Sequence, residues 1–285
     1  MIVMTKVLSF NSAHAPGWKV IWLSLALILS PGPAVAETLM LIQGLFANGE
    51  GWRDSGITHI LAQAGWQDGG NLSLAQGKVR SDQPPTPALR RFYTMGLPTY
   101  APLMVQAQKL DQYIDFVRAR HPYSTLILVG HSAGGVLARL YMVQHKTQAL
   151  TALITIASPH LGTPVANLGL AAEERVLSWM GEFIGKSALD FSWGLFSDLE
   201  VERPHNLLGW LNHQSHPPAM YTSIVHETHV PWSLSNWLVP AWSQDMNNVY
   251  ALHGQADTVV VSADHGLCAA DGRLLVRILE RLRHV

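Results

Sequence analysis

The chain has 285 residues, and its 19 lysines and arginines are balanced by 20 aspartates and glutamates. Without an excess of basic residues the protein lacks the charge pattern of nucleic-acid-binding proteins, and we exclude nucleic acid as a partner. A single cysteine, Cys268, excludes an internal disulfide. The length is enough for one large core, with or without an inserted subdomain, and the 48% apolar content favours a protein that handles apolar material.

The N-terminal segment is typical of a secretory signal. After Lys19 there are about ten apolar residues, which is short for a membrane span, and then a Ser-Pro-Gly-Pro break. Ala34-Val35-Ala36 follows and matches an A-x-A cleavage site. We therefore predict that residues 1–36 are a signal peptide and that the protein is exported to the periplasm or secreted. A permanent membrane anchor is the alternative.

Apolar runs then alternate with helical patterns. Because the runs are continuous rather than alternating with polar residues, they predict a mostly parallel sheet covered by helices on both faces. The Pro-rich segment SDQPPTPALRRF, residues 81–92, is predicted to be a loop. The predicted strands are 38–45, a short one near 70–74, 125–130, 152–158, 220–226 and 257–262, and the main predicted helices are 102–120, 133–145 and 271–285.

Residues 165–218 interrupt this alternation. The interval has no strand-like run, but it contains helical stretches and three tryptophans, Trp179, Trp193 and Trp210. We predict that it is a helical cap over the carboxyl edge of the sheet, where open parallel sheets bind ligands. The predicted organisation is a signal peptide at 1–36, a first core part at 37–164, the cap at 165–218 and a second core part at 219–285.

A serine flanked by small residues lies where the strand TLILVG passes into a helix. Gly130-His131-Ser132-Ala133-Gly134 fits G-x-S-x-G. A sharp strand-to-helix turn exposes the serine oxygen, and the following helix N-terminus favours negative charge. The pattern predicts that Ser132 is a nucleophile.

Four stretches, in this order, resemble the α/β-hydrolases, and among these the bacterial lipases and esterases: IQGLFANGEGW, GHSAGG, TIASPHLGTP and ADHGL. The resemblance extends from about residue 38 to 283, apart from the cap. It implies the α/β-hydrolase fold, a Ser-His-acid triad, no cofactor and hydrolysis of acyl esters or related bonds. We interpret the third stretch, which contains His160, as structural.

The same resemblance implies roles for further residues. The stretch Gln43-Gly44-Leu45 occupies the place of the His-Gly-X segment of such lipases, so the Leu45 amide is a candidate oxyanion donor, with glutamine in place of histidine. The amide after the nucleophile, that of Ala133, is the second donor. His265, which follows the last strand, is the candidate base, since a neutral imidazole can take the serine proton.

The acid of the triad is left open between two residues. Glu227 ends the strand MYTSIVH, where the fold normally has its acid, and Asn236 lies in NWLVP, where related hydrolases often have Asp-x-x-Val-Pro. Asparagine can orient an imidazole but supplies no charge. Asp245 ranks behind both. Two others are disfavoured: Asp257, which precedes the last strand, and Asp264, whose side chain points away from that of its neighbour.

We therefore predict a serine hydrolase of carboxylic esters, with lipid-like substrates because of the apolar cap. Acyl transfer, thioester or amide cleavage at the same site, or a non-catalytic binding protein of this fold, are the alternatives. The predicted partner is a small-molecule or lipid ester, with transient contact to a lipid surface through the cap. The pairs His213/His216 and His226/His229 lack a convincing metal-ligand spacing, so no metal is predicted. The sequence does not determine the oligomeric state.

Overall fold

A mostly parallel sheet runs through the protein. The computed structural model describes residues 35–45, 47–146, 150–171, 194–228 and 238–283. Within these residues the sheet has eight strands in the order β3-β2-β4-β1-β5-β6-β7-β8, and only β3 is antiparallel to its neighbour. The strands are β1 (Glu37–Ile42), β2 (Gln67–Ala75), β3 (Lys78–Ser81), β4 (Arg90–Met95), β5 (Thr125–His131), β6 (Leu150–Ile156), β7 (Met220–His226) and β8 (Ala256–Val261).

Helices connect the strands. Two of the three longest described helices connect parallel strands that follow each other in the chain, and the third follows the last described strand, as in other open α/β sheets. The helices are α1 (Gly51–Asp54), α2 (Ile57–Gln63), α3 (Leu103–Arg120), α4 (Ala133–His145), α5 (Pro164–Ala171), α6 (Leu207–Asn212), α7 (Ala241–Gln244) and α8 (Ala269–Leu282). Residues 194–198 are also helical, and two 3-10 turns lie at Met246–Asn248 and Tyr250–Leu252.

The sheet separates two apolar cores. Side chains alternate across a strand, so Leu39 and Leu41 of β1 face one core while Met40 and Ile42 face the other. The first core is closed by α2 and α8, and the second by α3 and α4. All four of these β1 side chains are fully buried. The predicted sheet with helices on both faces is therefore confirmed, and it is the α/β-hydrolase fold.

Most of the segment predicted to be a Pro-rich loop, residues 82–89, lies outside the helices and strands as predicted, but its two ends belong to strands. β4 begins at Arg90 and pairs with β1 and β2, while β3 ends at Ser81. The two arginines that open β4 hide its strand character in the sequence. Arg91 is nevertheless buried, since its guanidinium donates to Thr38 Oγ1 and to the Ala88 carbonyl.

The described part of the predicted cap packs on the side of α3 and α4. Leu195, Leu199 and Leu208 belong to the same core as these helices. The Leu103 N–H, at the start of α3, donates to Asp198 Oδ2 at 2.6 Å. Residues 172–193 of the interval lie outside the described residues, and its position over the sheet edge stays a prediction.

The predicted signal peptide also lies almost wholly outside the described residues, which begin at Val35. Its predicted cleavage point after Ala36 coincides with the start of β1 at Glu37. Among the described residues, no helix combines the length and apolar character that a membrane crossing requires.

Candidate active site

Ser132 occupies a strained turn between β5 and α4. Its φ of 52° and ψ of −130° lie in a region that non-glycine residues rarely adopt, and such conformations cost about 1–3 kcal/mol. The Ser132 N–H donates to the carbonyl of Ile156, at the end of the neighbouring strand β6, at 2.9 Å, and this bond ties the turn to that strand. Only small residues fit beside it, because a Cβ at Gly130 would lie 2.4 Å from the Gly135 Cα.

His265 lies directly against this serine. Its Nε2 is 3.0 Å from Ser132 Oγ, which is hydrogen-bond distance, although 133 residues separate the two in the chain. β8 ends at Val261, and the loop that follows brings His265 to the carboxyl end of the neighbouring strands. The structure thus brings together the two residues that the sequence predicted as nucleophile and base.

The surroundings of His265 favour its neutral form. Burial, together with the nearby imidazoles of His131 and His226, lowers the pKa of His265 to about 3. A neutral imidazole can accept a hydrogen bond from the serine hydroxyl and then take its proton. The imidazole of His265 is therefore in the form that a general base needs at neutral pH.

The two candidate oxyanion donors flank the serine. Ala133 is the first residue of α4, and Leu45 follows the end of β1. Within the described part of the chain, the N–H groups of these two residues donate no hydrogen bond to another group of the protein. Gly44 brings this backbone close to the serine, because a Cβ at Gly44 would lie 3.2 Å from Ser132 Oγ. Gln43 is buried and fixes the strand end, since its Nε2 donates to the Met95 carbonyl at 2.7 Å.

The two candidates for the acid differ in what the structure describes. Glu227 follows β7 at its carboxyl end, and its N–H donates to the Val261 carbonyl at 3.0 Å. Its side chain is exposed, and none of the hydrogen bonds among the described residues joins it to His265. Asn236 lies outside the described residues.

The lower-ranked acidic residues lie as follows. Asp245 is engaged elsewhere, because its Oδ1 accepts hydrogen bonds from Asn247 N–H at 2.9 Å and Thr258 Oγ1 at 2.7 Å. Asp257 is the second residue of β8 and lies at the opposite end of that strand from the His265 loop. Asp264 contacts the site through its backbone, since its carbonyl is 2.7 Å from His226 Nδ1.

Two histidines that the sequence analysis did not assign to the site lie beside it. His131, the second residue of the G-x-S-x-G motif, has its Nε2 2.9 Å from the His265 carbonyl. His226, which the sequence suggested only as half of a weak metal pair, lies buried at the end of β7. The signal in the sequence that could have identified them is that each is the last residue of a strand, at the carboxyl edge of the sheet where the nucleophile lies. No group of three or more potential metal ligands occurs among the described residues.

Comparison with protein families gives a match over the centre of the chain. The model of the PGAP1-like alpha/beta domain matches residues 102–174, which include α3, β5, Ser132 and α4. A GPI inositol-deacylase of Debaryomyces hansenii is 31% identical over 70 residues. That match covers 22% of this chain and 7% of the relative, so the chain spans only a small part of the relative's length.

Comparison with solved structures extends over most of the chain. A mature lipase, BlEst2, of Bacillus licheniformis is similar with a TM-score of 0.58 and 13% identity, over 89% of this chain and 94% of that one. An esterase of Pyrococcus furiosus is similar with a TM-score of 0.53 and 12% identity, over 87% and 81% of the two chains. Phospholipase PlaB of Legionella pneumophila is similar with a TM-score of 0.52 and 14% identity, over 74% of this chain and 45% of that one. These likenesses agree with the α/β-hydrolase fold.

Proposed function

We propose that the protein is a serine hydrolase that cleaves carboxylic esters through an acyl-enzyme intermediate. The observation that carries the proposal is the 3.0 Å separation of His265 Nε2 and Ser132 Oγ, at a strained turn that aims the serine at the carboxyl edge of the sheet. A nucleophile paired with a neutral base in this way is the arrangement that acyl transfer requires.

In the first half-reaction, Ser132 Oγ attacks the ester carbonyl carbon while His265 Nε2 takes the hydroxyl proton. The carbonyl oxygen gains negative charge and accepts hydrogen bonds from the Leu45 and Ala133 N–H groups. When the tetrahedral intermediate collapses, the bond to the alcohol breaks, and the imidazolium returns the proton to the leaving alkoxide. The acyl group is then bound to Ser132.

In the second half-reaction a water molecule attacks the acyl-serine. His265 takes a proton from this water, and the same two N–H groups stabilise the second tetrahedral intermediate. The carboxylic acid leaves as the proton returns to Ser132 Oγ. The free enzyme is restored, and the residues described here supply each proton transfer.

We propose that the enzyme recognises an apolar acyl group in its substrate. The PGAP1-like family model covers the segment around Ser132, and the name of the GPI inositol-deacylase relative describes removal of an acyl group from an inositol. The low charge of the chain agrees with a lipid-like substrate. The fold alone does not fix the substrate, so thioesters, amides and alcohol acceptors belong in the same assay.

The test is hydrolysis of p-nitrophenyl esters of graded chain length by the wild type and by Ser132→Ala. We expect hydrolysis by the wild type and a loss of at least about 10³-fold in kcat for the variant. The control is Ser73→Ala, which changes an exposed serine of β2 and should leave turnover unchanged. Turnover by Ser132→Ala close to that of the wild type on every ester would exclude Ser132 as the nucleophile.

A further inference from the structure

Two successive backbone carbonyls of the loop that carries His265 are each bound by a histidine ring. The Asp264 carbonyl lies 2.7 Å from His226 Nδ1, and the His265 carbonyl lies 2.9 Å from His131 Nε2. A carbonyl oxygen only accepts hydrogen bonds, so His226 Nδ1 and His131 Nε2 each carry a proton and donate it. The donors come from the ends of β7 and β5, and the loop between Val261 and Ala269 lies outside the helices and strands.

The first of these histidines is itself held by a buried carboxylate. His226 Nε2 and Asp271 Oδ1 are 2.8 Å apart, and the two side chains are 1% and 2% exposed. Asp271 Oδ2 also accepts the Cys268 N–H at 2.9 Å, at the start of α8.

The charge of Asp271 follows from its contacts. Burial raises the pKa of Asp271, but the hydrogen bond and the charge of His226 outweigh it, so the pKa lies below its ordinary value and the carboxylate is ionised. Both nitrogens of His226 thus face acceptors, the Asp264 carbonyl and the Asp271 carboxylate, and the ring is fixed between them.

The backbone of His226 is also fixed. Its N–H donates to Gln244 Oε1 at 2.7 Å, and its carbonyl accepts from Gln244 Nε2 at 2.9 Å. The same Gln244 Nε2 is 2.7 Å from the Val239 carbonyl. A side chain held at both ring nitrogens, on a backbone held at both polar groups, has a single orientation available to it.

We propose that His226, oriented by Asp271, and His131 are positioning residues for the base. Each holds one of two consecutive carbonyls, and together they keep the imidazole of His265 within hydrogen-bond distance of Ser132 Oγ. The proposal rests on the proposed function, because it assigns these residues to the geometry of that site. Misplacement of a reacting group by about 1 Å can cost 10²-fold in rate, so a loop without regular secondary structure benefits from two such anchors.

Amide side chains offer matched variants for each ring nitrogen. The asparagine Nδ2 is as many bonds from the backbone as the histidine Nδ1, and the glutamine Nε2 is as many as the histidine Nε2. His131→Gln therefore keeps the donor to the His265 carbonyl, and His131→Asn loses it. Conversely, His226→Asn keeps the donor to the Asp264 carbonyl, while His226→Gln keeps only the contact with Asp271.

The experiment measures kcat and KM on a short-chain p-nitrophenyl ester and hydrogen–deuterium exchange of a peptide covering residues 262–268. We expect His131→Asn and His226→Gln to lower kcat by about 10- to 100-fold with little change in KM, and to speed exchange in this peptide. His131→Gln and His226→Asn should retain most of kcat, and exchange in this peptide should stay as slow as in the wild type. His160→Gln is the control, because His160 is also fully buried but contacts Thr155 instead of the loop.

Equal kcat values for the four variants of His131 and His226, with hydrogen–deuterium exchange of the peptide 262–268 unchanged, would overturn the proposal. His226→Asn leaves Asp271 unpaired, so this variant could fail to fold, but the His131 pair involves no carboxylate and decides the question alone. If no form hydrolyses any ester yet exchange separates the variants as expected, the anchoring stands and the proposed function fails. If the wild type is active through Ser132 but the His131 variants do not differ, the function stands and the positioning proposal is wrong.

Discussion

Gly44 shows how closely two strand ends approach at the nucleophile. A Cβ at this position would lie 2.7 Å from Ser132 Cβ, which is closer than atoms pack, and 3.1 Å from the His131 carbonyl oxygen, which is tighter than most contacts. The absence of a side chain therefore allows the end of β1, with the Leu45 amide, to lie beside the serine. Space at one residue sets the distance between the oxyanion donor and the attacking oxygen.

Gly44→Ala should consequently lower kcat/KM by about 100-fold or more, because the clash separates the two strand ends. The same substitution at Gly51, where an added Cβ meets nothing within 4 Å, is the control and should leave kcat/KM unchanged. Ester hydrolysis by purified variants of equal folded content measures both. Wild-type kcat/KM for Gly44→Ala would contradict the arrangement of the oxyanion site.

The pH dependence of activity reports the state of His265. Burial, together with the nearby imidazoles of His131 and His226, lowers its pKa from 6.5 to about 3, so the base stays neutral as the pH falls from 7 to 5. We expect kcat/KM to change less than about twofold over this range, whereas a base of pKa 6.5 would lose about 25-fold. The measurement is a kcat/KM profile at pH values where circular dichroism shows folded protein. An acid limb centred near pH 6.5 would contradict the account.

At the scale of elements, the patterns that predicted well were those with a local cause. The strand β5, Ser132 and the helix α4 are signalled by an apolar run, small residues and a helical repeat within one stretch. β4 lacked such a signal, because its first two residues are arginines and the burial of the second, Arg91, depends on partners such as Thr38, far away in the chain. The bonds from His131 and His226 to the His265 loop join residues 134 and 38 apart in the chain, and no local pattern encodes them.

The segment after β7 supplies the acid in our proposal, and the two candidates give opposite rankings. If Glu227 holds this role, Glu227→Gln should lower kcat/KM by about 10²-fold or more, and Asn236→Ala should cost little. If Asn236 orients the base, the ranking reverses, and Asn236→Asp should raise activity by adding a charge that stabilises the imidazolium. The comparison of kcat/KM between these variants decides. Effects of only a few-fold from both would exclude both residues and make Asp245 the next to test.

At the scale of the whole molecule, folding encloses several histidines in neutral form. Burial lowers the pKa of His131 and His216 to about 4 and of His265 to about 3, and it lowers that of His160 as well. In the unfolded chain these groups have ordinary pKa values near 6.5 and bind protons below it. The unfolded state therefore takes up more protons than the folded state as the pH falls through 6.5 towards 4, and stability is lost over that window.

We accordingly expect the free energy of unfolding to fall between pH 7 and pH 5 by about 2 kcal/mol for each of these four histidines, or about 7 kcal/mol in all. Urea denaturation at a series of pH values measures this, with the m-value as the control for a two-state transition. Replacing His160 by glutamine should reduce the pH dependence, because one neutral buried histidine is removed. A stability that is constant from pH 7 to 5 would show that these histidines do not resist protonation in the folded protein.

Covalent labelling with a fluorophosphonate, which reacts with activated serines, shows whether Ser132 is an activated nucleophile. The measurement is the mass of the intact protein and of its peptide containing Ser132 after reaction, for the wild type and for Ser132→Ala. We expect one added label on Ser132 of the wild type and none on the variant. Failure of the folded wild type to react, or equal labelling of both proteins at another residue, would contradict this expectation.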